Sequence, residues 1–295
     1  MRIIIIGGFL GGGKTTLLNH LVKDAIDNHL HPAVIMNEFG KQSIDGLLIE
    51  QPIPLEEITS GCICCSMKAD VSQQLHQLYI HYQPDVVFIE CSGVAEPLAV
   101  VDACLTPVLS PIVRIDSIVN VIDAAMANKL STYPDDIQHL FFAQLEHSST
   151  LFINKIDRVD LDSLSEFLVN IGQQHQDADV RVGVQGQLGL SDLIQPQALH
   201  AKPSGQHHHR LNHIFIEQPT IVNQHTFIDH LEHLPTHVYR LKGFMRFADK
   251  PYTYLVQCTQ QQIELTPIAL QQDIPLYLVM IGINLEDALS ASFKT

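Results

Sequence analysis

Gly8-Phe9-Leu10-Gly11-Gly12-Gly13-Lys14-Thr15 satisfies the pattern G-x-x-x-x-G-K-[ST] in full. The pattern needs a strand before it and a helix after it. Arg2-Ile3-Ile4-Ile5-Ile6 supplies an apolar, β-branched run suited to a buried parallel strand. From Thr15 to His29 the apolar residues Leu17, Leu18, Leu21, Val22 and Ile26 keep helical spacing. Backbone N–H groups of Gly11, Gly12 and Gly13, with no Cβ in the way, can wrap a β-phosphate at the positive end of that helix, with Gly8 opening the loop. Lys14 then reaches the β and γ oxygens, the Thr15 hydroxyl binds Mg²⁺, and Thr16 touches the α-phosphate.

At 295 residues the chain is long enough for a full α/β core and a smaller second domain. Hydrophobic residues make up 46% and charged ones 17%, an ordered composition. The net charge of −15 repels nucleic-acid backbones and anionic membrane surfaces, so neither is an expected partner. No segment approaches the roughly 20 apolar residues that span a bilayer. Arg2 before an apolar run imitates a secretory signal, yet the run leads straight into Gly13-Lys14-Thr15-Thr16 without a cleavage-type site. Of the six cysteines, Cys62, Cys64 and Cys65 are bunched, while Cys91, Cys104 and Cys258 are scattered in apolar surroundings as small packing residues. That is no disulfide framework, and it points to the reducing cytoplasm.

Further apolar runs at Ala33–Met36, Asp85–Ile89, Ser117–Ile122 and Thr150–Ile153 alternate with helical stretches near Asp70–Tyr82, Glu96–Leu105, Asp135–His147 and Asp162–His175. The expected fold is α/β, a mainly parallel sheet with helices on both faces and ligand chemistry at the carboxyl ends of its strands. After Ile89 come Glu90, a carboxylate able to hold Mg²⁺, and Gly93, whose N–H can sense a γ-phosphate. After Ile153, Asn154-Lys155-Ile156-Asp157 reads N-K-x-D. The Asp157 carboxylate can accept from the N1–H and N2–H₂ of guanine, whereas adenine leaves it unmatched, a difference worth about 10⁴-fold. Lys155 would lie across the base and Asn154 would brace the loop.

Gly61-Cys62-Ile63-Cys64-Cys65 places three thiols within four residues, able to converge as thiolates on one soft or borderline ion. The incomplete shell, open to a carboxylate, a His, water or a client side chain, suits a carrier that must exchange ligands. A redox pair is the alternative. Thiolates select against Mg²⁺ and Ca²⁺ but leave Zn²⁺, Co²⁺, Ni²⁺ and Cu(I) open, with zinc favoured.

From about Leu199 the texture changes. Pro196, Pro203, Ser204 and Gly205 mark a linker, and nine of the 17 histidines lie between His200 and His237, His207-His208-His209 among them. They either collect metal ions or merely solvate the connection. Beyond it, Ile214–Ile216, Val238–Phe247, Tyr252–Cys258, Ile263–Leu265 and Leu276–Ile283 read as strands, with helices near Phe227 and Glu286. Phe227, Leu231 and Leu234 form the apolar stripe of the first of these helices, leaving His230 and His233 toward solvent. The expected whole is a small α+β domain.

Taken together, Gly7–Asn19, Asn37-Glu38-Phe39-Gly40, Gly61–Cys65, Glu90–Pro97 and Asn154–Asp157 resemble the CobW-like GTPases, metallochaperones related to the urease and hydrogenase nickel-insertion GTPases. Tyr239–Phe244 and Leu278–Asn284 look like that family's C-terminal domain. The resemblance implies a GTPase domain over residues 1–198, a His-rich linker over 199–212 and a C-terminal domain over 213–295. It implies slow hydrolysis of GTP to GDP coupled to metal delivery, most often zinc, to a client metalloprotein, with Cys62, Cys64 and Cys65 as ligands. It places Asn37–Gly40 in a nucleotide-sensing switch where Glu38, and less directly Asp45, contribute to the metal environment. Met36 and Lys41 stand where some relatives carry further carboxylates, and the family's common C-terminal Trp is absent. A homodimer stays open, as do a cobalt or nickel insertase, a metal buffer with little GTPase activity and an adenine-nucleotide enzyme.

Overall fold

Ile3, Ile4, Ile5 and Ile6 are all fully buried in β1 (Arg2–Gly7). A strand with no polar face needs cover on both sides. Each such side chain contributes about 1.5–3 kcal/mol by leaving water. The computed structural model describes residues 1–36, 55–57, 66–93, 97–106, 108–193, 211–259, 262–268, 276–283, 285, 289 and 293. The chain divides into two units, Met1–His209 and Arg210–Thr295.

In the first unit β1 is followed by α1 (Lys14–Asp27), β2 (Pro32–Met36), β3 (Leu55–Glu57), α2 (Ser66–His81), β4 (Val86–Glu90) and α3 (Pro97–Cys104). Then come β5 (Arg114–Asp123), α4 (Ala124–Asn128), α5 (Asp135–Leu145), β6 (Thr150–Asn154), α6 (Leu161–Gln174), β7 (Asp179–Val182) and α7 (Leu190–Leu193). The seven strands lie in the order β3-β2-β4-β1-β5-β6-β7, every pairing parallel. Alternation along β6 shows the two covered faces. Phe152 packs with α1 and α7 residues such as Leu17, Leu21 and Leu190, whereas Leu151 and Ile153 pack with Ala127 of α4, Phe141 of α5 and Ile171 of α6. From β1 the chain crosses to one side of the sheet and from β5 to the other, so the carboxyl ends of β1 and β5 flank the crevice where ligands of such sheets bind.

The second unit holds β8 (Leu211–Glu217), α8 (Gln224–Glu232), β9 (Val238–Arg246), β10 (Thr253–Thr259), β11 (Ile263–Ile268) and β12 (Tyr277–Ile283). Its sheet runs β11-β10-β9-β12-β8, antiparallel throughout. Phe227 of α8 anchors the core, its ring 5.3 Å from Phe247 and 5.9 Å from Phe293.

Several elements differ from the sequence expectations. β5 begins three residues before Ser117, because Asp116 is paired with Arg2 at 2.6 Å and Arg114 at 2.8 Å; a polar Arg-Ile-Asp start concealed a buried strand. β7 was not expected either, being four residues with polar Asp179 and Arg181 at the sheet margin. β11 runs three residues beyond Leu265, through Pro267, which an edge strand tolerates because it needs no N–H on its open side. α4 arises from a local cap, Asp123 Oδ1 accepting from the N–H groups of Ala125 and Met126. His230 is half-buried rather than turned to solvent, its ring 6.1 Å from Phe293 at 90°. His233 is exposed. The helix expected near Glu286 and most of the His-rich linker lie outside the described residues.

Phe227→Ala should cost about 3–5 kcal/mol by leaving a cavity between the Phe247 and Phe293 rings. Urea denaturation followed by far-ultraviolet circular dichroism should show an early transition absent from the unsubstituted chain.

Candidate nucleotide site

The phosphate loop is shaped by close approaches that only glycine permits. Gly8 has φ +122, and a Cβ there would lie 2.3 Å from the Val121 carbonyl oxygen of β5. Gly13 has φ +105, and its Cβ would lie 2.4 Å from Asn154 Nδ2. The loop turns on a bond from the Gly12 N–H to the Phe9 carbonyl at 3.1 Å. α1 then starts at Lys14 with no side chain capping its first N–H groups and no acidic residue in its first turn. An uncapped helix start of this kind favours an anion. Lys14 Nζ donates to the carbonyls of Gly8 at 2.9 Å and Phe9 at 3.1 Å, which holds a buried positive charge at the loop. Thr16 is exposed in the first turn of α1.

Glu90 closes β4, opposite Ile6 in the β1 register. Thr15 Oγ1 donates to Glu90 Oε1 at 3.0 Å, joining residues 75 apart in sequence. A hydroxyl and a buried carboxylate side by side at the phosphate loop form a hard oxygen pair that fits Mg²⁺. Cys91 follows and is buried. Desolvation pushes its thiol up to about 12, partly opposed by nearby Lys14 and reinforced by Glu90. It therefore packs as a neutral thiol. Burial likewise raises Cys104 and Cys258. Gly93 stands against the loop, where a Cβ would come within 2.8 Å of the Leu10 nitrogen.

Asn154 and Lys155 reach the loop from its other side. Asn154 Nδ2 donates to the Gly12 carbonyl at 2.9 Å, and its Oδ1 accepts from the Gly186 N–H at 3.1 Å. Lys155, with φ 60, donates to the Gly11 carbonyl and to Asp123 Oδ2, both at 2.6 Å. Its ammonium is thus engaged with protein, and only its methylene stem remains to lie along a base. Asp157 is exposed, and among the described residues nothing hydrogen-bonds its carboxylate.

The model of the CobW/HypB/UreG nucleotide-binding domain matches residues 2–181, and that of the CobW C-terminal domain of cobalamin synthesis proteins matches residues 211–295. The chain belongs to the CobW/HypB/UreG family. A Sinorhizobium protein named zinc chaperone CobW is 26% identical over 304 residues, covering 88% of this chain and 85% of its own. An Escherichia coli protein named zinc chaperone YjiA is 34% identical over 136 residues, covering 44% and 42%. Among solved structures, a Zn(II)-bound triple mutant of YjiA GTPase aligns with a TM-score of 0.50 at 21% identity, over 99% of this chain and 98% of that one; it shows the fold alone.

Within this CobW/HypB/UreG domain, sequence reading missed three supports. Asp123 carries the α4 cap and the Lys155 pair on one carboxylate, and a carboxylate closing an apolar strand was its available signal. Gly186 (φ +70) approaches α1 so closely that a Cβ would lie 2.7 Å from the Leu17 nitrogen. Asp24 of α1 accepts from the Leu190 N–H at 2.6 Å, tying the segment after β7 to α1. The Gly-Val-Gln-Gly run at 183–186 was the only local hint of that tie. Cys62, Cys64, Cys65, Glu38, Asp45 and the Asn37–Gly40 run lie outside the described residues, and no group of three metal-ligating side chains occurs among the described ones. No helix among the described residues is long and apolar enough to cross a membrane.

Burial alone would raise the Asp123 carboxyl, but the Lys155 ammonium and the Met126 and Ala125 N–H groups outweigh it and hold it below the ordinary value. A lowered folded-state pKa gives stability that is complete above the unfolded value of about 3.9 and is lost as pH falls through the folded one. Asp123→Asn should therefore cost about 1 kcal/mol at pH 7, the pair being partly screened by solvent. The deficit should shrink below pH of about 4. Urea midpoints measured across pH check both.

Proposed function

We propose that this chain is a GTP-hydrolysing metallochaperone that carries zinc on Cys62, Cys64 and Cys65 and passes it to a client metalloprotein. The observation that carries the reading is the meeting of Thr15 with Glu90 at an uncapped, glycine-lined helix start. In hydrolysis the oxygen of a water bonds to the γ-phosphorus, the bond from that phosphorus to the β-bridging oxygen breaks, and its electron pair leaves with GDP. The proton of the water ends on inorganic phosphate. Lys14 neutralises charge on the β and γ oxygens, and Gly93 presents its N–H to the γ-phosphate. Thr15 and Glu90 would hold Mg²⁺, which when bound supplies charge neutralisation between the β- and γ-phosphates. No arginine or base is assigned to the attacking water, so unaided turnover is slow.

Coupling to metal follows from chain order. Asn37–Gly40 and Gly61–Cys65 both fall between β2 and α2, so the switch and the thiols occupy the segment that joins the phosphate loop's helix to the strand bearing Glu90. GTP·Mg²⁺ ordering that switch would alter the exposure of the thiolates. A difference of about 2–3 kcal/mol in zinc affinity between nucleotide states, about 30- to 150-fold, suffices for directional transfer. The zinc-chaperone names of the relatives support the choice of metal.

The test is GTP turnover with and without one equivalent of zinc, on the unsubstituted chain and on Cys64→Ala. Zinc should shift turnover about 5-fold or more in the former and leave the latter unmoved. Identical rates in all four samples would leave a metal buffer in place of a chaperone.

A further inference from the structure

We infer that Gln144 is a positioning residue for the γ-phosphate sensor, working through the Gly93 turn; the inference rests on the GTPase reading above. α5 carries Phe141, Gln144 and Leu145 inward, all buried. Phe141 and Gln144 are three residues apart and share one face of the helix. Phe141 meets Phe9 of the phosphate loop, ring centroids 6.0 Å apart. Gln144 Nε2 donates to the Gly93 carbonyl at 2.9 Å. One helix face therefore braces both the loop that cradles phosphate and the turn that senses its last phosphoryl group.

Packing does not explain the glutamine. Its side chain is 2% exposed, and its Oε1 is buried with no hydrogen-bond donor among the described residues. A buried amide with one unmet acceptor costs stability that an apolar side chain of the same length would not. What only the amide supplies is the N–H to Gly93. Gly93 has no Cβ to limit its own torsions, and one added there would lie 2.8 Å from the Leu10 nitrogen. Holding its carbonyl on one side of that Cα restrains how far its N–H can swing on the other. Gln144 is itself fixed: its carbonyl accepts from Asn120 Nδ2 at 2.9 Å and from Ser148 Oγ at 3.0 Å, and Asn120 lies opposite Gly7, the last residue of β1. The path Gly7, Asn120, Gln144, Gly93 joins the strand that launches the phosphate loop to the sensor turn through the side of the sheet away from α1.

The experiment uses Gln144→Met, which keeps length and removes the donor. The exposed His139→Ala on the same helix serves as control. Affinities for GDP and for a non-hydrolysable GTP analogue, GTP turnover and thermal midpoint are measured on the full chain. Gln144→Met should leave GDP affinity and the thermal midpoint unchanged or slightly raised, while it lowers affinity for the GTP analogue relative to GDP, and turnover, about 10-fold each. Equal loss of GDP and analogue binding with a lower midpoint would mean a merely structural role and would overturn the proposal. So would values matching the unsubstituted chain. If the unsubstituted chain itself neither hydrolyses GTP nor distinguishes the analogue from GDP, the GTPase reading fails first and this inference with it.

Discussion

The carbonyls of Gly11 and Gly12 are pinned from beneath by the Lys155 ammonium and the Asn154 amide, and the rest of the site depends on that pair of bonds. They span more than 140 residues, so the phosphate loop cannot take its shape until β6 is paired into the sheet. With the Gly12 carbonyl turned to the base-side motif, the Gly13 N–H on the other side of that peptide is turned toward an anion, whereas the Gly12 N–H closes the loop on the Phe9 carbonyl. Gly11 and Gly13 both take positive φ, a region glycine enters without steric cost. The phosphate loop and the Asn154–Asp157 run are accordingly parts of one assembly.

Electrostatics sets a second constraint. A chain of net charge −15 must bind a polyanion against its own field. It does so by concentrating positive potential locally: the open start of α1, the buried Lys14 and the Lys155 ammonium all lie around one loop. Two carboxylates beside the loop are engaged, while Asp157 stays open to solvent. Glu90 accepts from Thr15, and Asp123 accepts from Lys155 and two N–H groups of α4. Neutralising acids by pairing keeps the crevice hospitable to phosphate without diluting the overall charge.

Legibility in the sequence followed burial. Runs such as Ile3–Ile6 and Leu151–Ile153 were readable because both faces of a central parallel strand are covered and every residue is apolar. Strand β7 and the start of β5 were not, since Asp179, Arg181, Arg114 and Asp116 find ion-pair partners only after folding. The same holds at the site. Lys14, Thr15, Glu90 and Asn154–Asp157 announced themselves through spacing, each next to a strand end. Asp24, Gly186 and Gln144 did not, because their partners are far away in the chain, and of Asp123 only the local cap left a trace, its Lys155 pair being 32 residues off. Spacing placed Lys155 across the base but could not show that its ammonium also holds the loop, which depends on where the carbonyl of Gly11 falls.

Asp157 offers the most direct test of the claim that one assembled loop pair reads guanine while it holds phosphate. Dissociation constants for GDP, ADP and xanthosine diphosphate should be measured on the unsubstituted chain and on Asp157→Asn. The account predicts that the unsubstituted chain prefers GDP to ADP by about 10³- to 10⁴-fold. It also predicts that Asp157→Asn gives up most of that preference and gains affinity for xanthosine diphosphate, whose 2-oxo group matches the amide N–H. ADP binding as tightly as GDP, or GDP affinity unmoved by Asp157→Asn, would contradict it.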